Sequence, residues 1–358
     1  MSNRSPETLI DRHEAFLDRR AVERPLIGHW VGGYFPAEQF PRATSAWQSA
    51  TALCPVDVDF RAFAADYERL YERHRECDDD FFLVASPYWG IPWLEAILGC
   101  PVAIAAANCR AERCINKIED AAPHAAFLDV NAWMTTLERF TRELVQLADG
   151  RFPVCPPLLR GVGDAACAML GGENFVTGMI DEPEAMRRLL AHCTQIRLEV
   201  LDRLQRLIPP WHRTHAAGGY PSKLWCRRTV AYYQEDSAAL LSPRLFRDFL
   251  LPPARAMRAA ADVNFIHLHS ACLYPVDILL DDDTFDVIEI NLDHDGVSPK
   301  AASLIPTLQR IQQSGRPLLL WGDCAAGEWE LLRRELSPVG LSLQPIVGIK
   351  SVDTPKCD

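Results

Sequence analysis

A chain of 358 residues, 48% of them hydrophobic, can bury a large core without disulfide or metal staples. Its formal net charge of -11 repels a polyphosphate backbone and gains nothing from an anionic membrane. Charged residues interrupt every apolar run before the roughly 18 to 20 residues of a membrane span, so nucleic acid and membrane are excluded as partners.

The twelve cysteines are scattered along the chain, and Met1-Ser2-Asn3-Arg4-Ser5-Pro6 lacks the apolar centre of a secretory signal. A reducing, cytoplasmic location is expected. Dinucleotide-binding, P-loop, HExxH and GxSxG patterns are absent, which removes the most common labelled chemistries.

In chain order, Ser5-Pro6 predicts a capped helix with Leu9, His13, Phe16 and Leu17 on one face. The run from Leu26 to Val31 predicts a strand ending at Gly32-Gly33, with His29 near its end. Residues 36–80 have a mostly helical pattern. Next comes an aromatic block from Phe81 to Cys100, in which Tyr88, Trp89 and Trp93 crowd a proline-rich turn. Such a turn can wall a ligand pocket or form a hydrophobic corner of the core. Residues 130–147 have helical spacing, and Pro153 to Leu159 predicts a strand entering the turn Gly161-Val162-Gly163-Asp164. A short helix is expected to stop at Gly171-Gly172, and Asp181 to cap the long amphipathic helix that ends at Pro209-Pro210. Asp164 is read as a structural helix cap. The stretch from Thr229 to Tyr233 leads into the polar trio Gln234-Glu235-Asp236, and Ser242-Pro243 caps another helix.

Two strands then stand out. In Phe265 to His269, Ile266 and Leu268 alternate with His267 and His269. From Val287 to Asp293, Ile288, Ile290 and Leu292 alternate with Glu289, Asn291 and Asp293. Residues 301–313 are helical, Pro317 to Gly322 is a buried strand followed by Asp323 and Cys324, and residues 328–336 are helical again. Residues 340–347 predict a last strand. Strands alternating with helices predict a parallel sheet, and their number favours an α/β fold of the (β/α)8 TIM-barrel type with N-terminal helical additions. A doubly wound sheet is the alternative. One domain is expected over residues 1–358, with residues 1–130 holding the N-terminal helix and an inserted helical and aromatic lid.

In such a barrel the isoleucines and leucines face the helices, while the polar residues converge at one mouth. Two chemistries fit them. In one, His269, Cys272 and Cys324 hold zinc and leave a position open for a thiol or water. In the other, no metal binds, and His269 with Glu289 or Asp293 works as an acid/base pair, with Asp236 beside it. His29, Tyr88, Trp89, Trp93, Gln234, His267 and Asn291 are the expected substrate-binding residues. His294 also follows a strand.

The segments Gly90 to Cys100, Gln234-Glu235-Asp236-Ser237 leading into Leu241 to Phe246, and His269-Ser270-Ala271-Cys272 resemble the uroporphyrinogen decarboxylase superfamily over most of the chain. That superfamily includes cobalamin-linked methyltransferases. The resemblance implies a (β/α)8 barrel with its site at the strand C-termini. Here Gly28 to Tyr34 stands where true uroporphyrinogen decarboxylases carry the arginine-rich segment that binds porphyrinogen carboxylates, so the methyltransferase branch is the closer one in character. The zinc-dependent members have His-x-Cys and a late Cys; this chain has His269-x-x-Cys272 and Cys324. The function implied is methyl transfer between a methylated small substrate or corrinoid carrier and a thiol or cob(I)alamin, assisted by zinc, with cobalamin free or presented by a corrinoid protein. The alternative is a metal-free decarboxylase or lyase acting on a small carboxylated substrate. The sequence leaves a homodimer open.

Overall fold

The computed structural model describes residues 5–33, 35–105, 108–118, 127–216, 223–293, 297–322 and 324–346. Tyr34, His294 and Asp323, as well as Gly218-Gly219-Tyr220, lie outside the described residues. Its strands in chain order are β1 (Leu26–Ile27), β2 (Ala52–Leu53), β3 (Val102–Ala105), β4 (Asn108–Ala111), β5 (His215–Ala216) and β6 (Trp225–Cys226), followed by β7 (Val230–Gln234), β8 (Val263–His269), β9 (Val287–Leu292), β10 (Leu318–Gly322) and β11 (Leu341–Pro345).

Six of these make a wholly parallel sheet in the order β1-β11-β10-β9-β8-β7. Consecutive strands from β7 to β11 are neighbours, and helical segments such as Ala301–Gln313 and Ala326–Glu335 carry the chain between them. This is the crossover that parallel pairing requires. The sheet also brings the last strand beside the first, with Trp30 bridging to Ile346. On the far side of β1 the Asp80 N–H donates to the Ile27 carbonyl at 2.8 Å, and Ala85 bridges to Val154 in parallel. The hydrogen-bonded ladder thus has six strands among the described residues, and a closed eight-stranded ring is not part of it.

The alternation in the sequence divides the sheet into two apolar faces. Ile266, Leu268, Ile288, Ile290, Leu318 and Leu320 join the large core shared with the helices. Val263, Phe265, Val287, Leu319, Trp321, Val230 and Tyr232 pack with Leu26, Trp30 and Phe81 into a separate cluster on the opposite face. His267 and His269 continue the Val263-Phe265 row of that second face, as side chains two residues apart must.

The glycines of the 161–164 turn are demanded by packing. A Cβ on Gly161 would strike the Gln234 carbonyl, and one on Gly163 would meet Glu235, Leu250 and Ser237. Glu235 needs that approach because it accepts hydrogen bonds from Gly163 N and Asp164 N, at 3.0 and 3.2 Å, at the start of helix Val162–Leu170. Asp164 in return accepts from Asp236 N and Ser237 N at 3.1 and 2.6 Å. Two helical starts therefore cap each other, so Asp164 is structural, but it caps the later turn Asp236–Leu240 and not its own helix, which begins after Gly161 without a side-chain cap of its own.

Several elements differ from expectation. The short helix Val162–Leu170 stops at Gly171 as expected, but a further helix, Gly172–Asp181, starts directly after it, so Asp181 closes that helix instead of capping the next. Pro183 restarts the chain as the 25-residue helix Pro183–Leu207 without a side-chain cap bond. The N-terminal region, expected to be helical, also contains the antiparallel sheet β2-β3-β4. Its strands are only two to four residues long, and β2 joins the β3-β4 hairpin from about fifty residues away, so a local pattern carries little signal of it. Tyr88 and Trp93 are fully buried in the core, with Tyr88 against Phe40, Trp47 and Phe63, and Trp93 donating to the Tyr88 carbonyl at 2.9 Å. Of that aromatic block, half-buried Trp89 lines a cavity.

Candidate metal centre at the strand ends

Register places the polar residues side by side. His267 of β8 stands opposite Glu289 of β9 and Gln234 of β7, and His269 stands opposite Asn291. Directly paired residues on one face are within side-chain reach. His267 Nδ1 lies 2.6 Å from Glu289 Oε1, and the Trp321 indole N–H donates to the same oxygen at 3.1 Å. His269 Nδ1 lies 2.7 Å from Asp293 Oδ1, which also accepts from Asn291 Nδ2 at 3.0 Å. Ser270 secures the Asp293 carboxylate from the other side, its hydroxyl donating to Oδ2 at 3.1 Å.

Each imidazole thus has its Nδ1 against a carboxylate, which leaves Nε2 as the outward nitrogen. The two Nε2 atoms are 3.3 Å apart, and Asp236 Oδ1 is 3.4 Å from Nε2 of His269. Asp236 follows β7 and accepts a hydrogen bond from Gln234. Ligand atoms of Asp236, His267 and His269 all lie within 4.8 Å of one another. Tetrahedral bonds of about 2.1 Å to a zinc ion would hold such donors about 3.4 Å apart. The spacing, the two freed Nε2 atoms and the carboxylate behind each ring fit a two-histidine, one-carboxylate centre.

Charge balance points the same way. Burial opposes a charge on His269, but the hydrogen bonds and negative charges of Asp236 and Asp293 outweigh it and push its pKa up to about 10. Burial would raise Asp236, yet its contact with His269 and the nearness of His267 take it down to about 2. The pocket draws positive charge to its centre, by protonation or by a cation.

The remaining expected residues distribute as follows. Cys272 and Cys324, both half-buried, are not members of the set whose ligand atoms converge. The backbone explains Cys272: its N–H turns back onto the His269 carbonyl at 2.9 Å, closing a tight turn after β8. Asp236, expected among the catalytic residues, and His267, expected as a substrate contact, both belong to the converging set. A signal for His267 was available in the sequence, because His-x-His within a strand puts both rings on one face. Asp236 comes from a different strand end, so only the sheet brings it in. His29 is held by Asp79, whose Oδ2 is 2.7 Å from the His29 backbone N and 3.1 Å from its ring Nδ1. Gln234 and Asn291 are buried and tied to Asp236 and Asp293. Lys223, the buried cation nearest Trp30, had no sequence signal.

No protein-family profile and no curated protein matches the sequence. Among solved structures the chain is similar to a methyltransferase from Methanosarcina mazei, with a TM-score of 0.64 and 13% sequence identity over 95% of this chain and 93% of that one. At that identity the likeness is one of fold, and it extends over nearly the whole of both chains.

Proposed function

We propose that this protein is a metal-assisted methyltransferase of the uroporphyrinogen decarboxylase superfamily, acting between a methylated small substrate or corrinoid carrier and a thiol or cob(I)alamin. The observation that carries the reading is the convergence of Asp236, His267 and His269, with Glu289 and Asp293 behind the two rings. The fold shared with a methyltransferase supports it. We also read the sheet as part of a (β/α)8 barrel: the segments at Ala85 and Val154 supply two more parallel strands, bridged to each other and to β1.

Asp236, His267 and His269 would hold zinc, which would supply Lewis acidity to keep an acceptor thiol as its nucleophilic thiolate. Glu289 and Asp293 fix which nitrogen of each ring is presented, and their charge raises the basicity of the ligands. Asp236, whose side chain is 42% exposed, lies on the accessible side of the site where a substrate enters. A corrinoid protein is the proposed partner at that side.

One observation favours the metal-free alternative, a decarboxylase or lyase. A His269 imidazolium held between two carboxylates is a proton donor in waiting. Elemental analysis separates the two. About one zinc per chain, lost in His269→Ala with the fold retained by circular dichroism, supports the metal centre. Metal-free protein that stays metal-free after incubation with zinc overturns it.

A further inference from the structure

Away from the histidine centre, the thiols of Cys100 and Cys114 meet, with their Sγ atoms 3.5 Å apart. Cys100 follows the short helix Trp93–Ile97, and its N–H turns back onto the Glu95 carbonyl at 2.9 Å. Cys114 follows β4. The β3-β4 ladder runs out between them: Val102 pairs with Ala111, and Glu112 N donates to the Pro101 carbonyl at 2.8 Å. On its other side, Cys114 N donates at 3.1 Å to the carbonyl of Met169 in the helix Val162–Leu170. Backbone hydrogen bonds therefore hold both cysteines, and the contact of their sulfurs is set by the fold.

The two thiols differ in access. Cys100 is 2% exposed, whereas Cys114 is half-buried. Their shared hydrogen bond, together with burial, pushes the Cys100 thiol up, and the same bond holds the Cys114 thiol below its usual value. A reachable sulfur with thiolate character beside a shielded one that keeps its proton is the arrangement of an attacking and a resolving cysteine. A disulfide holds its sulfurs about 2.05 Å apart, so closing the gap takes about 1.5 Å, within the swing of two side chains about χ1.

We propose that Cys100 and Cys114 form a reversible disulfide when peroxide is present, a redox-sensitive clasp across the open end of the β3-β4 hairpin. The Cys114 thiolate attacks one peroxide oxygen, the O–O bond breaks, and the hydroxide released leaves as water with the proton given up by Cys114. The sulfenic acid so formed is attacked by the Cys100 sulfur. The S–S bond forms, the S–O bond breaks, and the departing hydroxide takes the Cys100 proton as a second water. Two thiols are oxidised and one peroxide is reduced, and a dithiol reductant reverses the change. Closing the chain between residues 100 and 114 restricts the unfolded state, so the oxidised form is the more stable one. Neither cysteine belongs to the converging donors, so the proposal does not rest on the methyl-transfer reading.

The test is titration of the reduced, folded full chain with hydrogen peroxide, followed by alkylation of the remaining thiols, digestion and mass spectrometry. A Cys100–Cys114 cross-linked peptide, lighter by two hydrogens than the reduced pair and formed before any other cysteine pair links, supports the proposal. Dithiothreitol should restore both thiols, and the oxidised protein should unfold at a higher urea midpoint than the reduced one. Cys100→Ala should leave Cys114 as a sulfenic acid that dimedone traps, and Cys114→Ser should abolish both the cross-link and the rise in midpoint. No cross-linked peptide from the folded wild type, a cross-link that forms only in denaturing urea, a different cysteine pair linking first, or oxidation of Cys114 to the sulfinic acid without the cross-link overturns it. The wild type carries the deciding measurement, so the result stands even where a variant does not fold.

Discussion

At the scale of single residues, the site is built from donors whose second nitrogen is already engaged. Glu289 is fully buried, with its Oε1 shared by His267 and Trp321, so its contribution passes through the ring it orients. Glu289→Gln is expected to weaken zinc affinity about 10- to 100-fold without abolishing it, measured by competition with a chromophoric chelator. Asp236→Asn or His267→Ala should lose the metal outright. His269, with its pKa pushed up to about 10, carries its proton at neutral pH when no cation is present. Zinc must displace that proton, so titrations at pH 7 in buffers of different ionisation enthalpy should report release of about one proton per metal bound. Release of none would mean that His269 is not a ligand.

The elements hold these residues by packing that leaves little room for change. Gly161 has no space for a side chain because the Gln234 backbone and Glu235 occupy it. Gly161→Ala should destabilise the fold by about 3 kcal/mol, read from urea unfolding, because the obstacle is backbone and cannot swing aside. Arg197, 2% exposed, comes from the long helix Pro183–Leu207 and donates to the carbonyls of Leu159, Arg160 and Tyr232. It joins the segment after Val154 to β7 where no strand ladder does so. Arg197→Met would leave those three carbonyls without this donor and should cost about 3 kcal/mol or more.

For the whole molecule, buried imidazoles set the response to acid. His13 Nδ1 accepts from Trp225 N at 3.2 Å, so its Nε2 carries the hydrogen and donates to the Asp80 carbonyl at 3.0 Å. Burial lowers its pKa to about 4, and a second proton would break the bond from Trp225. The unfolded chain binds that proton near pH 6.5 and the folded chain only near 4. Stability is therefore full above pH 6.5 and falls as the pH drops towards 4, by about 3 kcal/mol from this residue. Chemical denaturation at pH 7 and pH 4.5 should show the loss, and His13→Gln should reduce the difference between the two. No described helix is long and apolar enough to cross a membrane.

Much of this was legible in the sequence. Period-two alternation around His267, His269, Glu289 and Asn291 assigned both strands and their polar face, because a pleated strand sends alternate side chains to opposite sides. Ser5 and Ser242 marked helix starts, and each accepts the expected backbone N–H. The tertiary structure alone decided the register that sets His267 against Glu289, the approach of Asp236 from another strand end, and the enclosure of Lys223 with His74. It also sent Tyr88 and Trp93 into the core and left Cys272 and Cys324 outside the converging donors. The physical reason is range: periodicity and capping act over a few residues, whereas a donor set or a buried charge is defined by distances between segments that the chain pattern does not encode.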